Sequence, residues 1–281
     1  MTRGAAFFDL DKTIIAKSST LAFGRPLFQG GLINRRTVLK TAYAQFVFSL
    51  AGADAQQMER LRAQMTAMVT GWDAAAVREI IRETLHEIVD PLVYAEAADL
   101  IEEHRAAGRE IVIVSSSGAE MVEPIGEMLG ADRVVATRMV VEDGRYTGDI
   151  DFYAYAENKA AAMREVAAEG GYDLADCYAY SDSVTDLPML AAVGHPTAVN
   201  PDRGLRKAAL QNGWPMLRFE RPVSMRARFS PTATPMVTGA AAMGVGAAVV
   251  GLAWYARHRT ARAVLPAPEG PLSGRRRRRG A

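Results

Sequence analysis

The sequence predicts an α/β protein: a doubly wound parallel sheet with a helical insert after its first strand and a C-terminal membrane-spanning helix. Three observations carry that expectation. The run GAAFFDL at residues 4–10 is short, apolar and bounded by polar residues, as a strand buried on both faces is. From residue 91 onward, helical and extended segments alternate in the rhythm of a parallel sheet. Residues 237–256 contain no charged residue.

After the first strand, residues 16–90 read as all helical. TVLKTAYAQFVFSL (37–50), AQQMERLRAQMTAMVT (55–70) and AAAVREIIRETLHEIV (74–89) repeat apolar residues at helical spacing, and Pro91 closes the insert. A helix then runs to Gly108, a strand covers REIVIVS (109–115), and a second helix runs to Gly130. The segment 133–150 holds two extended runs around Asp143-Gly144, a hairpin turn signal. Helix ENKAAAMREVAAEG (157–170), strand DCYAYS (176–181), helix TDLPMLAAV (185–193) and the extended PTAVN (196–200) follow. The expected domains are thus a core of 1–15 and 91–215, a cap of 16–90 and a linker of 216–236. The expected membrane helix is 237–256, followed by a disordered tail of 257–281.

Twenty residues at about 1.5 Å each span roughly 30 Å, enough for the hydrocarbon core of a bilayer. Arginines flank the segment, and Trp254 and Tyr255 stand where an interfacial aromatic pair belongs. The other reading is a buried Ala/Gly-rich helix. The chain carries +1 overall, which gives no reason to expect nucleic acid as a partner. That balance hides a tail of +7, including five consecutive arginines at 275–279, against −6 elsewhere. Such a tail suits anionic lipid headgroups. The lone Cys177 excludes an internal disulfide, four scattered histidines offer no zinc spacing, and a reducing setting fits. The N-terminus reaches charged residues too early for a secretory signal, so the N-terminal part is expected to stay in the cytoplasm.

Four places stand where a strand ends and the chain turns toward a helix, the edge at which open α/β sheets bind ligands. They are Asp9 and Asp11, Ser115 with Ser116, Lys159, and Asp182 with Asp186. Each alone has an ordinary reading: a capped turn, a helix-entry loop, a solvated lysine, an N-cap with first-turn acids. Two acids following an apolar strand are, however, costly without partners. Together, DLDKT, Ser115, Lys159 and SDSVTD occur in an order that resembles the haloacid dehalogenase superfamily, in its phosphoserine-phosphatase-like branch with a Rossmann-like core. The resemblance covers about residues 5–212.

That resemblance implies a Mg2+-dependent phosphatase. Asp9 would be nucleophile and metal ligand, and Asp11 proton shuttle with its carbonyl toward the metal. Ser115, Ser116 and Lys159 would bind phosphate, and Asp182 and Asp186 would complete the metal site. The chemistry agrees, because a carboxylate approaching a phosphate monoester is repelled unless a cation intervenes. The branch has a glutamate nine residues past the nucleophile as a clamp for an ammonium; here that position is Ser18, which argues against phosphoserine. Arg60 and Arg62, on a cap helix, are candidates to meet an acidic substrate, with a solvated surface as the plainer reading. The alternative function is a catalytically inactive, membrane-held scaffold on the same fold. The expected substrate is a small phosphate ester, and the lipid is the expected second partner.

Overall fold

The computed structural model describes residues 4–32 and 66–223. Its core is a seven-stranded sheet of order β4-β3-β2-β1-β5-β6-β7. The strands are β1 (Ala5–Phe8), β2 (Glu110–Gly118), β3 (Arg133–Glu142), β4 (Arg145–Phe152), β5 (Tyr178–Ser181), β6 (His195–Val199) and β7 (Met216–Leu217). Every neighbouring pair is parallel except the β3–β4 hairpin. In that hairpin Asp143 and Gly144 both take positive φ, 49° and 75°, the backbone that a tight two-residue connection demands. The chain leaves β1 for β2 on one side and later returns to β5 on the other. The C-terminal end of β1 is therefore the point where the strand order reverses, the edge at which open α/β sheets bind ligands.

Helices cover both faces because β1 alternates its side chains across the sheet. Ala6 and Phe8 pack with α3 (Ala74–Ile88), α4 (Ala95–Ala106) and α5 (Ala119–Leu129) through Ile81, Ile101 and Ile125. Ala5 and Phe7 pack with α6 (Glu157–Gly170), α7 (Leu187–Ala191) and α8 (Arg203–Asn212) through Met163, Met189 and Leu205. Phe7 and Phe8 are almost wholly buried, so truncating either ring to alanine would cost about 3–5 kcal/mol. Two short helices, α1 (Ser19–Ala22) and α2 (Gly24–Gln29), begin the insert. Asp73 starts α3, its side chain accepting from the Ala75 and Ala76 amides. Gly130, at φ 68°, stops α5.

The structure departs from the sequence-based expectation in four places. Residues 216–223, expected as linker, instead form β7 and return to the core, where the Val223 amide bonds the Val93 carbonyl. Helix α8 had no counterpart in that expectation. Strand β2 runs three residues further than REIVIVS, through a register slip between Ser115 and Gly118. The helix placed over 185–193 is a 3-10 turn, Val184–Asp186, followed by the shorter α7. Residues 66–69 are helical, as expected for the end of the second cap helix. The rest of that helix with Arg60 and Arg62, the first cap helix, the segment 237–256 and the arginine tail lie outside the described residues. Among the described residues, no helix is long and apolar enough to cross a membrane.

Candidate active site

Asp9 follows β1 directly, and its amide bonds the Tyr180 carbonyl of β5 at 2.9 Å, extending the parallel ladder by one residue. The chain then folds tightly, with the Ile14 and Ile15 amides both on the Leu10 carbonyl. Lys12 takes a left-handed φ of 61°, and Ala156, just before α6, takes 49°. Both are non-glycine residues at positive φ, the kind of local strain that clusters at functional sites.

Two hydrogen-bond networks keep the neighbouring carboxylates apart. In the first, the buried Lys159 ammonium, on the first turn of α6, donates to Asp9 Oδ1 at 2.7 Å and to Asp186 Oδ2 at 2.8 Å. Thr13 Oγ1 donates to Asp9 Oδ2 at 3.2 Å, and Ser181 Oγ donates to Asp186 Oδ2 at 2.8 Å. In the second, Asp11 Oδ1 accepts from the Ser19 amide at 2.7 Å and Oδ2 accepts from Ser117 Oγ at 2.9 Å.

Asp182 is buried, and no hydrogen-bond donor among the described residues reaches its carboxylate. Its carbonyl accepts from the Asp202 amide at 2.8 Å, and Asp202 in turn bonds the Val184 and Leu205 amides. Asp202, the N-cap of α8, thereby fixes the loop carrying Asp182 and Asp186. Ser115 Oγ is buried and accepts from the Ser117 amide, without a hydrogen bond to Asp9. The Ser116 side chain is exposed, while its carbonyl is held by Thr137. Ser117 and Asp202 were missed by sequence reasoning. The Asp202 position had a usable signal, an acid preceding Leu205 and Ala209 at helical spacing.

Charge follows from this geometry. Burial pushes the Asp9 carboxyl up to about 8; Lys159 opposes the shift, and Asp186 and Asp182 add to it. Burial likewise pushes Asp182 up to about 7, with Lys12 opposing and Asp186 and Asp202 adding. Burial alone would lower Lys159, but Asp9 and Asp186 outweigh it and hold the ammonium charged. The Lys159 ammonium thus serves Asp9 and Asp186, Lys12 opposes the shift at Asp182, and burial still raises the Asp9 and Asp182 carboxyls.

No three His, Cys, Asp or Glu side chains among the described residues group closely enough to hold a metal by themselves. Mg2+ does not require that, since it keeps several waters and takes only one or two carboxylates beside a substrate phosphate. Asp9 and Asp182 supply hard oxygen from two buried carboxyls whose burial outweighs the cations near them, so the residues fit Mg2+. Asp186 already spends one oxygen on Lys159 and Ser181, which makes it a holder of the lysine.

The family model for haloacid dehalogenase-like hydrolases matches residues 6–191, the stretch that contains Asp9, Asp11, Ser115, Lys159, Asp182 and Asp186. The chain belongs to this family. A Streptomyces azureus relative described as an inhibition of morphological differentiation protein is 62% identical over 265 residues, covering 93% of this hydrolase and 96% of the relative. A probable phosphatase of Mycobacterium tuberculosis is 60% identical, covering 90% and 88%. A phosphoserine phosphatase of the same organism is 33% identical, covering 76% and 70%. Among solved structures, a Bordetella pertussis protein of unknown function superposes with a TM-score of 0.68 at 28% identity, covering 77% of this chain and 99% of that one. A phospho-aspartyl intermediate analogue of phosphoserine phosphatase shares the fold, with a TM-score of 0.57 at 19% identity and coverage of 82% and 99%.

Proposed function

We propose that this hydrolase is a Mg2+-dependent phosphatase acting on a small phosphate monoester through an aspartyl-phosphate on Asp9, tethered to a membrane by residues 237–256. One observation carries the catalytic reading: a buried ammonium holds the Asp9 carboxylate at 2.7 Å, while Asp11, two residues on, is held by neutral donors of its own. The phosphatase names of the relatives support a phosphoric ester over other electrophiles.

In the first step an Asp9 oxygen attacks phosphorus, the bond to the leaving-group oxygen breaks, and Asp11 supplies that oxygen with a proton. Water then attacks the phosphorus of the acyl phosphate, Asp11 takes the proton of the water, and inorganic phosphate leaves as the Asp9 carboxylate is restored. Lys159 offsets charge on Asp9 and the phosphoryl group, and Ser115 and Ser116 at the end of β2 offer donors to its oxygens. Mg2+ on Asp9 and Asp182, beside Asp11, would supply the positive charge that lets an anionic nucleophile meet an anionic phosphoryl group. Ser18 precedes α1 with no carboxylate to receive a substrate ammonium, which favours a leaving group other than serine.

The test is phosphate release from 4-nitrophenyl phosphate by the full chain, with Mg2+ and with EDTA. Turnover is expected with Mg2+ alone, and Asp9→Asn should lower it by at least about 10³-fold with an unchanged circular dichroism spectrum. An Asp9→Asn variant of full activity would overturn the nucleophile assignment. A wild-type chain inert on a whole panel of phosphate esters would leave the scaffold reading standing.

The tether and the cytoplasmic placement of the catalytic core rest on the sequence, with the arginine tail as the contact for anionic lipid. The full chain is expected to remain in the membrane pellet after an alkaline carbonate wash, and a chain ending at residue 230 to be released. Release of both would remove the tether and leave the catalytic reading untouched.

A further inference from the structure

We propose that Ser117, backed by Ser19, is the positioning residue that aims the Asp11 carboxylate at the leaving-group oxygen. This deepens the phosphatase reading and rests on Asp11 as its proton donor. The two aspartates are equipped in opposite ways. Asp9 has the buried Lys159 ammonium, whereas no ammonium or guanidinium among the described residues pairs with Asp11. A nucleophile works as an anion and profits from a fixed cation. A proton carrier opposite a fixed cation would be held as its ion, so it needs an orienting partner without charge.

Ser117 is that partner. The residue is 7% exposed, and its hydroxyl donates to Asp11 Oδ2 at 2.9 Å and accepts from Ser19 Oγ at 2.9 Å; Thr20 Oγ1 stands 3.4 Å away. The Ser19 amide takes the other carboxylate oxygen at 2.7 Å, so both ends of the Asp11 carboxylate are fixed. Each oxygen accepts one bond and keeps a second lone pair for the travelling proton. Ser117 sits at the end of β2 and Ser19 opens the insert, so the aim of Asp11 depends on the insert being seated against the sheet.

The experiment compares kcat/KM for 4-nitrophenyl phosphate, whose leaving group needs little protonation, with phenyl phosphate and an alkyl phosphate, whose leaving groups need it. Ser117→Ala should lower all three, with the ratio of the 4-nitrophenyl to the alkyl value rising about tenfold or more, because general-acid help is withdrawn selectively. Ser19→Ala removes only the backing hydroxyl and should move the ratio the same way by less. In an Asp11→Asn background, Ser117→Ala should leave the ratio where Asp11→Asn put it. A loss equal on all three substrates, or no loss, overturns the proposal and leaves the phosphatase reading standing. A wild-type chain without turnover on any of them overturns both. Thermal melting of each variant separates a misfolded protein from a misaimed one, and Ser19→Ala carries the test should Ser117→Ala fail to fold.

Discussion

Replacing Asp182 by asparagine should make the metal-free protein more stable at alkaline pH. Asp182 is 8% exposed and has no hydrogen-bond donor among the described residues, and burial lifts its carboxyl to about 7 from the ordinary 3.8. The folded state therefore holds this proton more tightly than the unfolded chain does. The stability that the proton contributes is complete below about pH 4 and is lost as pH rises through about 7. At 1.36 kcal/mol per pKa unit the ceiling of that loss is about 4 kcal/mol. Asparagine matches the neutral acid in shape and does not titrate. At pH 8 in EDTA, Asp182→Asn should exceed wild type by about 2–4 kcal/mol, or about 5–10 °C in Tm for a domain of this size.

The assay is thermal melting of both proteins at pH 5 and pH 8, in EDTA and in Mg2+. At pH 5, 1.2 units above the ordinary 3.8, the gap should shrink to about 1.6 kcal/mol, less than half of the ceiling. With Mg2+ at pH 8 the order should reverse, because a ligand that binds only the folded state stabilises by RT ln(1 + [L]/Kd) and the variant lacks a ligand carboxylate. A variant less stable than wild type at pH 8 in EDTA, or one stabilised by Mg2+ as much as wild type, would refute the reasoning.

Lys159→Met should leave Asp9 and Asp186 buried without their shared cation, at a cost of about 3–5 kcal/mol; an unchanged Tm would show that the pair is not desolvated as described. His104 is buried against Tyr180, and burial, helped by Arg109, lowers it to about 4, so its contribution is present above about pH 6.5 and lost as pH falls toward 4. His104→Gln should abolish that acid-side loss, up to about 3 kcal/mol by the same linkage; variant and wild-type Tm curves parallel from pH 7 to 4.5 would contradict it. The losses of His104 and of the Asp9–Asp182 pair run in opposite directions over this window, so each shows only as a difference between variant and wild type.

The parts of the site that could be read from the sequence are those in which residue type implies a partner. Acids after a buried strand need cations, and Lys159 is where the structure supplies one. The part that could not be read depends on register. Ser115, Ser116 and Ser117 are chemically alike, and only the slip of β2 against β3 decides which hydroxyl is buried beside Asp11 and which faces solvent. Helix α8 escaped because its buried stripe is only Leu205 and Ala209, too sparse to register as apolar periodicity. Strand β7 escaped because two exposed residues show no alternation. Both matter to the site, since Asp202 at the head of α8 holds the Asp182 loop.

The charge count gives the arrangement its direction. Among the described residues, Asp9, Asp182 and Asp186 are buried near one buried ammonium, Lys159, with the exposed Lys12 opposing the Asp182 shift, so the buried acids outnumber the cations that answer them. A structure selected for stability alone would replace these acids, because burying charge without a counter-charge costs several kcal/mol. Burial raises the Asp9 and Asp182 carboxyls, a cost that the proposed Mg2+ would relieve. Asp11 stands outside that group, held by an amide and a hydroxyl where Asp9 is held by an ammonium, so on the proposed reading the nucleophile and the acid have partners of different charge. Separation of the two roles thus comes from the partners given to each aspartate, since the aspartates themselves are identical and two residues apart.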